Sequence, residues 1–209
     1  MHLASPRTLE QQLEMLKRCI RLAHEFDTQL IRVFSFWRKD LLTPTIEDRI
    51  VAAFEAPVAL AEREGVILAL ENETACFIGT GAEAARIASR IPSANFKICW
   101  DPGNAFAAGE VPYPDGYEAV KSRIAHIHIK DLRVVETPDH GLQARMCVVG
   151  EGEVDYVGQF TALRRDGYTG YLSLETHYVP PTGTGPDGKG TPEDGSRPCL
   201  TYLQKAIAS

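Results

Sequence analysis

Four short apolar runs in this chain each carry, at or near the C-terminal end, a residue able to bind a hard or borderline cation. Val66–Leu70 leads into Glu71, Phe96–Trp100 into Asp101, and Gly170–Leu174 into Glu175, while His128 lies near the end of Ile124–Ile129. An apolar strand has no structural use for a carboxylate at its last position, because burying an unpaired charge is expensive. A cation shared among the four groups removes that cost. In parallel α/β sheets the carboxyl ends of the strands are also where ligands gather. Three carboxylates and one imidazole favour Mn²⁺, Mg²⁺ or Co²⁺, with Zn²⁺ also within their chemistry.

Helical segments separate these runs. Thr8–Glu25 places Leu9, Leu13, Leu16, Ile20 and Ala23 at helical spacing, with Thr8 and Gln11 as a capping box. Leu30–Phe36 is β-branched and aromatic and reads as a further strand. Ile46–Glu64 is helical, with Pro57 expected to kink or break it and Gly65 to close it. Shorter helices are expected at Ala82–Arg90, Tyr117–Lys121, Tyr156–Arg165 behind an Asp155 cap, and Leu200–Ala208. The stretch between Ile129 and Asp155 reads as a polar loop. Residues 178–197 are rich in Gly, Pro, Thr and Asp and read as a flexible loop within a single domain spanning 1–209. Strands alternating with helices argue for a parallel sheet with crossover helices.

Composition narrows the function. The net charge of -6 works against a nucleic-acid partner, whose phosphates call for a basic face. No apolar run is long enough to span a membrane and no signal-like segment is present, so a cytoplasmic protein without a membrane partner is expected. Five scattered cysteines, Cys19, Cys76, Cys99, Cys147 and Cys199, without a CxxC pair, read as reduced and mostly buried.

The segments ILALENE, KICWDPGNAF, IAHIHIKDLR, VVGEGEVDY and GYTGYLSLETH resemble the sugar phosphate isomerase/epimerase family of xylose-isomerase-like TIM barrels. The resemblance runs in matching order from Leu30 to His177. It implies an α/β fold of the (β/α)8 type with a Glu-Asp-His-Glu metal site on the last four strands. Those ligands fall on Glu71, Asp101, His128 and Glu175. Only five strands can be read, so the first three βα units of such a barrel are expected to be missing; a five-stranded open sheet is the alternative. Uncovered residues at that edge (Ile31, Val33 and Phe34) are expected to make the chain less soluble or to favour homo-oligomers.

The resemblance also implies chemistry. Its members act on small carbohydrates whose adjacent oxygens chelate one divalent cation, most often Mn²⁺ for this donor set. A proton is moved through a metal-stabilised enediolate, with Glu71 and Glu175 as the catalytic acid/base pair and Asp101 and His128 as ligands only. The expected function is therefore isomerisation or epimerisation of a small sugar, sugar phosphate or hydroxy-keto acid. An inosose-type dehydratase on the same site, or an inactive metal-binding fragment, are the alternatives. An abasic-site endonuclease fits less well: it needs more histidines than the six present, and Asn104 stands where some relatives carry a histidine.

Candidate substrate contacts are Glu73, Asn104, Asp131, Arg133 and His177. Glu73 could equally cap the following helix, and Arg133 could grip a phosphate or remain a solvated loop charge. Lys130 enters the same loop beside them. His126, two residues before His128, reads as packing, and Gly150-Glu151-Gly152-Glu153 reads first as a turn.

Overall fold

The computed structural model describes residues 6–208. In chain order its main elements are α1 (Pro6–Glu25), β1 (Leu30–Phe34), α2 (Pro44–Glu64), β2 (Ile67–Glu71), α3 (Gly81–Ser89) and β3 (Phe96–Trp100). They continue with α4 (Pro102–Ala107), α5 (Tyr117–Val120), β4 (Ile124–Ile129), β5 (Asp131–Thr137), β6 (Gly141–Cys147), α6 (Tyr156–Arg165), β7 (Leu172–Leu174) and α7 (Pro192–Ala208). The principal sheet has the order β1-β2-β3-β4-β7, and β5 with β6 forms a separate two-stranded sheet. Register is parallel between β1 and β2, β2 and β3, and β4 and β7. No helix among the described residues is long and apolar enough to cross a membrane.

The chain divides into two compact units, one running up to Trp100 with Ala119–His126, the other made of Asp101–Glu118 and the chain from Ile127. In the first, β2 and β3 read as nearly continuous apolar runs because their residues are buried on both faces. Ile50, Phe54, Val58 and Ala61 of α2 and Ala84 and Ile87 of α3 are buried with them. Phe54 meets the Phe96 ring edge-on at 5.1 Å, an aromatic contact worth about 1 kcal/mol beyond the area it buries. Thr43 caps α2 through Ile46 N, and Thr80 with Glu83 forms a reciprocal capping box on α3. Gly65 ends α2 in the left-handed conformation, φ 69°, as its position in the sequence suggests.

One expectation in this unit is corrected. Helix α1 starts at Pro6, so Thr8 lies in its first turn and is not its cap. Helix α2 runs on through Pro57 without a break, with Phe54 and Val58 buried on either side of the proline.

Strand β1 is only half-buried, and Arg32 is exposed. Ile31, Val33 and Phe34 line an apolar groove of about 370 Å³ together with Leu13 of α1 and Phe54 and Pro57 of α2. The thin cover expected for these strand residues is what the structure shows.

In the second unit the hairpin β5–β6 occupies the stretch expected to be a polar loop. Its strands pair antiparallel from Asp131↔Cys147 to Thr137↔Gly141. Most of its residues are exposed or half-buried, so neither face carries the apolar alternation that would have revealed it. Helix α7 begins at Pro192, eight residues before its expected start, so residues 192–197 of the expected loop are helical. Asp194 accepts the backbone N–H groups of Thr184 and Thr191, both at 2.9 Å, and both threonine hydroxyls. These bonds hold its carboxyl down to about 2.

Candidate metal centre

The second unit gathers three of the expected ligands. Asp101 follows β3 and caps α4: its Oδ1 accepts from Asn104 N at 2.8 Å, and Pro102 occupies the first helical position without a wasted donor. The same aspartate is fully buried. His128, near the end of β4, is also buried, and its Nδ1 lies 3.9 Å from both Asp101 Oδ2 and Glu175 Oε1. Glu175 comes one residue after β7, where its N–H continues the strand pairing by donating to Ile129 O at 2.9 Å. One ligand atom from each of Asp101, His128 and Glu175 lies within 4.8 Å of the others. Two carboxylates and an imidazole at that spacing suit a divalent cation that prefers oxygen with some nitrogen.

A cation-bearing side chain of the protein is built into the same cluster. Lys130 Nζ lies 2.8 Å from Asp101 Oδ2 and 2.5 Å from Glu175 Oε2, and the lysine is only 5% exposed. Burial alone would push the ammonium down, but Asp101 and Glu175 outweigh it and hold it above the ordinary lysine value. Burial likewise pushes Glu175 up, yet Lys130, His128 and His177 together hold it below the usual glutamate value. Glu175 is thus a carboxylate at neutral pH.

Position 130 is fixed from three directions. The Tyr156 hydroxyl donates to Lys130 O at 2.6 Å and accepts from Lys130 N at 3.2 Å. Gly103 leaves room for the side chain, since a Cβ there would come within 2.7 Å of Lys130 Cγ. Neither Tyr156 nor Gly103 announces this partnership in the sequence. Helix α4 at the DPGN segment is absent from the elements expected from sequence, and its glycine serves a residue 27 positions away.

The remaining candidates separate. His177 Nε2 lies 3.3 Å from Glu175 Oε2 and is half-exposed, at the solvent side of the cluster. Asn104 is buried one turn from Asp101. Asp131 holds a loop in place, its carboxylate accepting N–H groups from Leu132, Gly150, Gly152 and Val154 at 2.8–3.3 Å. That explains the GEGEV segment, where a Cβ on Gly152 would come within 2.1 Å of Asp131 Oδ1. Asp131 is therefore an anchor, since both of its oxygens are taken up by backbone. Arg133 is on the exposed hairpin and pairs with Glu151 at 3.1 Å.

The other unit holds Glu71 and Glu73. Glu71 is buried at the last position of β2, opposite Cys99 of β3, and its Oε2 accepts from Arg32 at 2.9 Å. Nothing in the sequence signals the Arg32 contact, because an exposed strand arginine looks like any solvated charge. Glu73 Oε1 accepts from Ala75 N at 3.0 Å, which makes it a cap for its own turn; Thr80 and Glu83 cap the helix that follows.

Known proteins share both the sequence pattern and the fold. Residues 1–202 match the model of the xylose isomerase-like TIM barrel family, and the chain belongs to that family. A protein of Escherichia coli K12 assigned as an L-ribulose-5-phosphate 3-epimerase is 29% identical over 168 residues, covering 79% of this chain and 58% of its own length. The chain thus spans less than two thirds of that relative. An inosose dehydratase of Lacticaseibacillus casei is 25% identical over 143 residues, 64% of this chain and 48% of the dehydratase. In fold, a xylose isomerase-like TIM barrel protein of Mycobacterium smegmatis, solved in complex with magnesium, superposes with a TM-score of 0.70 at 19% identity, covering 99% of this chain and 71% of that one.

Proposed function

We propose that this protein is a divalent-metal-dependent isomerase or epimerase of a small sugar, sugar phosphate or hydroxy-keto acid. The observation that carries this reading is the cluster of Asp101, His128 and Glu175, whose ligand atoms lie within 4.8 Å of one another. Asp101, His128 and Glu175 would hold the cation, and Glu71, at the matching end of β2, would supply the fourth ligand. Support for Glu71 comes from its burial at a strand end, and the Glu-Asp-His-Glu set that the sequence resemblance implies includes it. Mn²⁺ suits this donor set, as do Mg²⁺, Co²⁺ and Zn²⁺. When bound, such a cation polarises a substrate carbonyl and offsets the negative charge that develops beside it.

The protein's own groups would move the proton. Glu175, held as a carboxylate, would accept a proton from the carbon next to the carbonyl, and Glu71 would serve as its acid/base counterpart. Asp101 has one oxygen fixed by Asn104 N–H and stays a ligand. His177, 3.3 Å from Glu175 Oε2, would meet a substrate hydroxyl.

Incubating candidate ketoses and sugar phosphates in deuterated water with Mn²⁺ tests this. Solvent deuterium should enter the substrate or its isomer, and Glu175→Gln and Glu71→Gln should each slow exchange by at least about a hundredfold. Exchange that proceeds unchanged in both variants would refute the assignment. The relative named as an inosose dehydratase supports a second reading, loss of water from a cyclic polyol-ketone after the same proton removal. A product lighter by one water identifies that reaction.

A further inference from the structure

Lys130 is the feature of this cluster that a metal-binding role does not require. Its ammonium sits on the two carboxylates that the proposed cation also needs, so this inference rests on the metal-dependent reading above. The atoms involved show why the two compete. Asp101 Oδ1 is committed to capping α4 through Asn104 N, and Asp101 Oδ2 is the oxygen that faces His128 Nδ1 at 3.9 Å. Lys130 Nζ is 2.8 Å from that same Oδ2. Glu175 divides its oxygens in a parallel way: Oε1 lies toward His128, while Oε2 contacts Lys130. Two cations sharing Asp101 Oδ2 inside a buried site would repel strongly.

The surroundings of the lysine are also shaped to hold it there. Tyr156 pins its backbone on both sides, and Gly103 lacks the side chain that would fill the space of its stem. A surface lysine drawn in by chance would need neither. Without Lys130, Asp101 and Glu175 would place two negative charges side by side in a largely buried site, a costly arrangement.

We propose that Lys130 is the internal counter-cation of the donor cluster, and that a divalent cation binds by exchange with its ammonium at Asp101 Oδ2. The lysine keeps the ligands folded and neutralised beforehand and limits how tightly the cation is held.

Calorimetric titration of MgCl₂ into the purified wild type, Lys130→Met and Lys130→Gln tests the proposal, with thermal melts before and after cation addition. Removing the competitor should tighten Mg²⁺ binding at least about tenfold, and melting should be lower without Mg²⁺ but recover with it. Affinity equal to or weaker than that of the wild type would overturn it. If both variants fail to fold, the ¹⁵N resonance of Lys130 Nζ in the wild type decides: it should shift as Mg²⁺ is added, and a resonance unmoved at saturation would overturn the proposal. Absence of binding in the wild type and in both variants would instead sink the metal-dependent reading itself, and this inference with it.

Discussion

Gly103 and Lys130 occupy one shared space: a Cβ on residue 103 would lie 2.7 Å from Lys130 Cγ and 2.8 Å from Lys130 O. The backbone oxygen cannot move aside without disturbing Tyr156, which donates to it. Gly103→Ala should therefore destabilise the protein by about 1–3 kcal/mol, the usual cost of overpacking. It should also alter the placement of the lysine. Thermal melts give the first effect and Mg²⁺ affinity the second; a variant identical to wild type in both would show that the space is not shared as described.

Asp131 and the loop from Gly150 to Val154 form a second tight unit. Burial pushes this carboxyl above the usual aspartate value, while its four backbone donors act in the opposite direction. Asp131→Ala leaves those N–H groups without their acceptor, at a cost of about 2–4 kcal/mol. For a chain of this size that lowers the melting temperature by roughly 5–12 °C. Faster amide exchange at Gly150, Gly152 and Val154 should accompany the loss, and unchanged exchange there would contradict the anchoring role.

None of the five cysteines is in a disulfide; four are buried, and Cys19 is half-buried. Burial pushes the Cys76 thiol from its ordinary value of 9.0 up to about 11. The folded chain thus keeps the proton that an unfolded chain releases, so this group's effect on stability is neutral below pH 9 and turns unfavourable as pH rises from 9 toward 11. At about pH 9.5, alkylation of Cys76 in the native protein should lag well behind that of the unfolded chain, with Cys19 labelled first. Equal rates at the two sites would contradict the burial.

The strand and helix pattern was legible because most of its elements follow simple physical rules. Largely apolar runs revealed β2 and β3, the isoleucine-rich Ile124–Ile129 revealed β4, and Gly65, Asp155 and the step of Leu16, Ile20 and Ala23 marked their helices. The hairpin from Asp131 to Cys147 escaped notice because a sheet exposed on both sides carries no apolar period. Four chemistry-bearing strand ends could be named because charge at the close of an apolar run is conspicuous. What could not be read were partnerships formed only in three dimensions: Lys130 with Asp101 and Glu175, Tyr156 with the Lys130 backbone, and Arg32 with Glu71. The backbone bonds of Asp131, which from sequence is equally a ligand contact or a solvated loop charge, were hidden for the same reason, since three of the four donors lie some twenty residues downstream.

Asp101, His128 and Glu175, with Glu71, are proposed to hold one divalent cation, and the proposed chemistry depends on it. Titrating Mn²⁺ into the wild type and into Asp101→Asn, His128→Ala, Glu175→Gln and Glu71→Gln measures this most directly. One Mn²⁺ per chain is expected for the wild type, with affinity lowered by more than about tenfold in each variant. A wild type that takes up no Mn²⁺, or variants that bind it undiminished, would contradict the account.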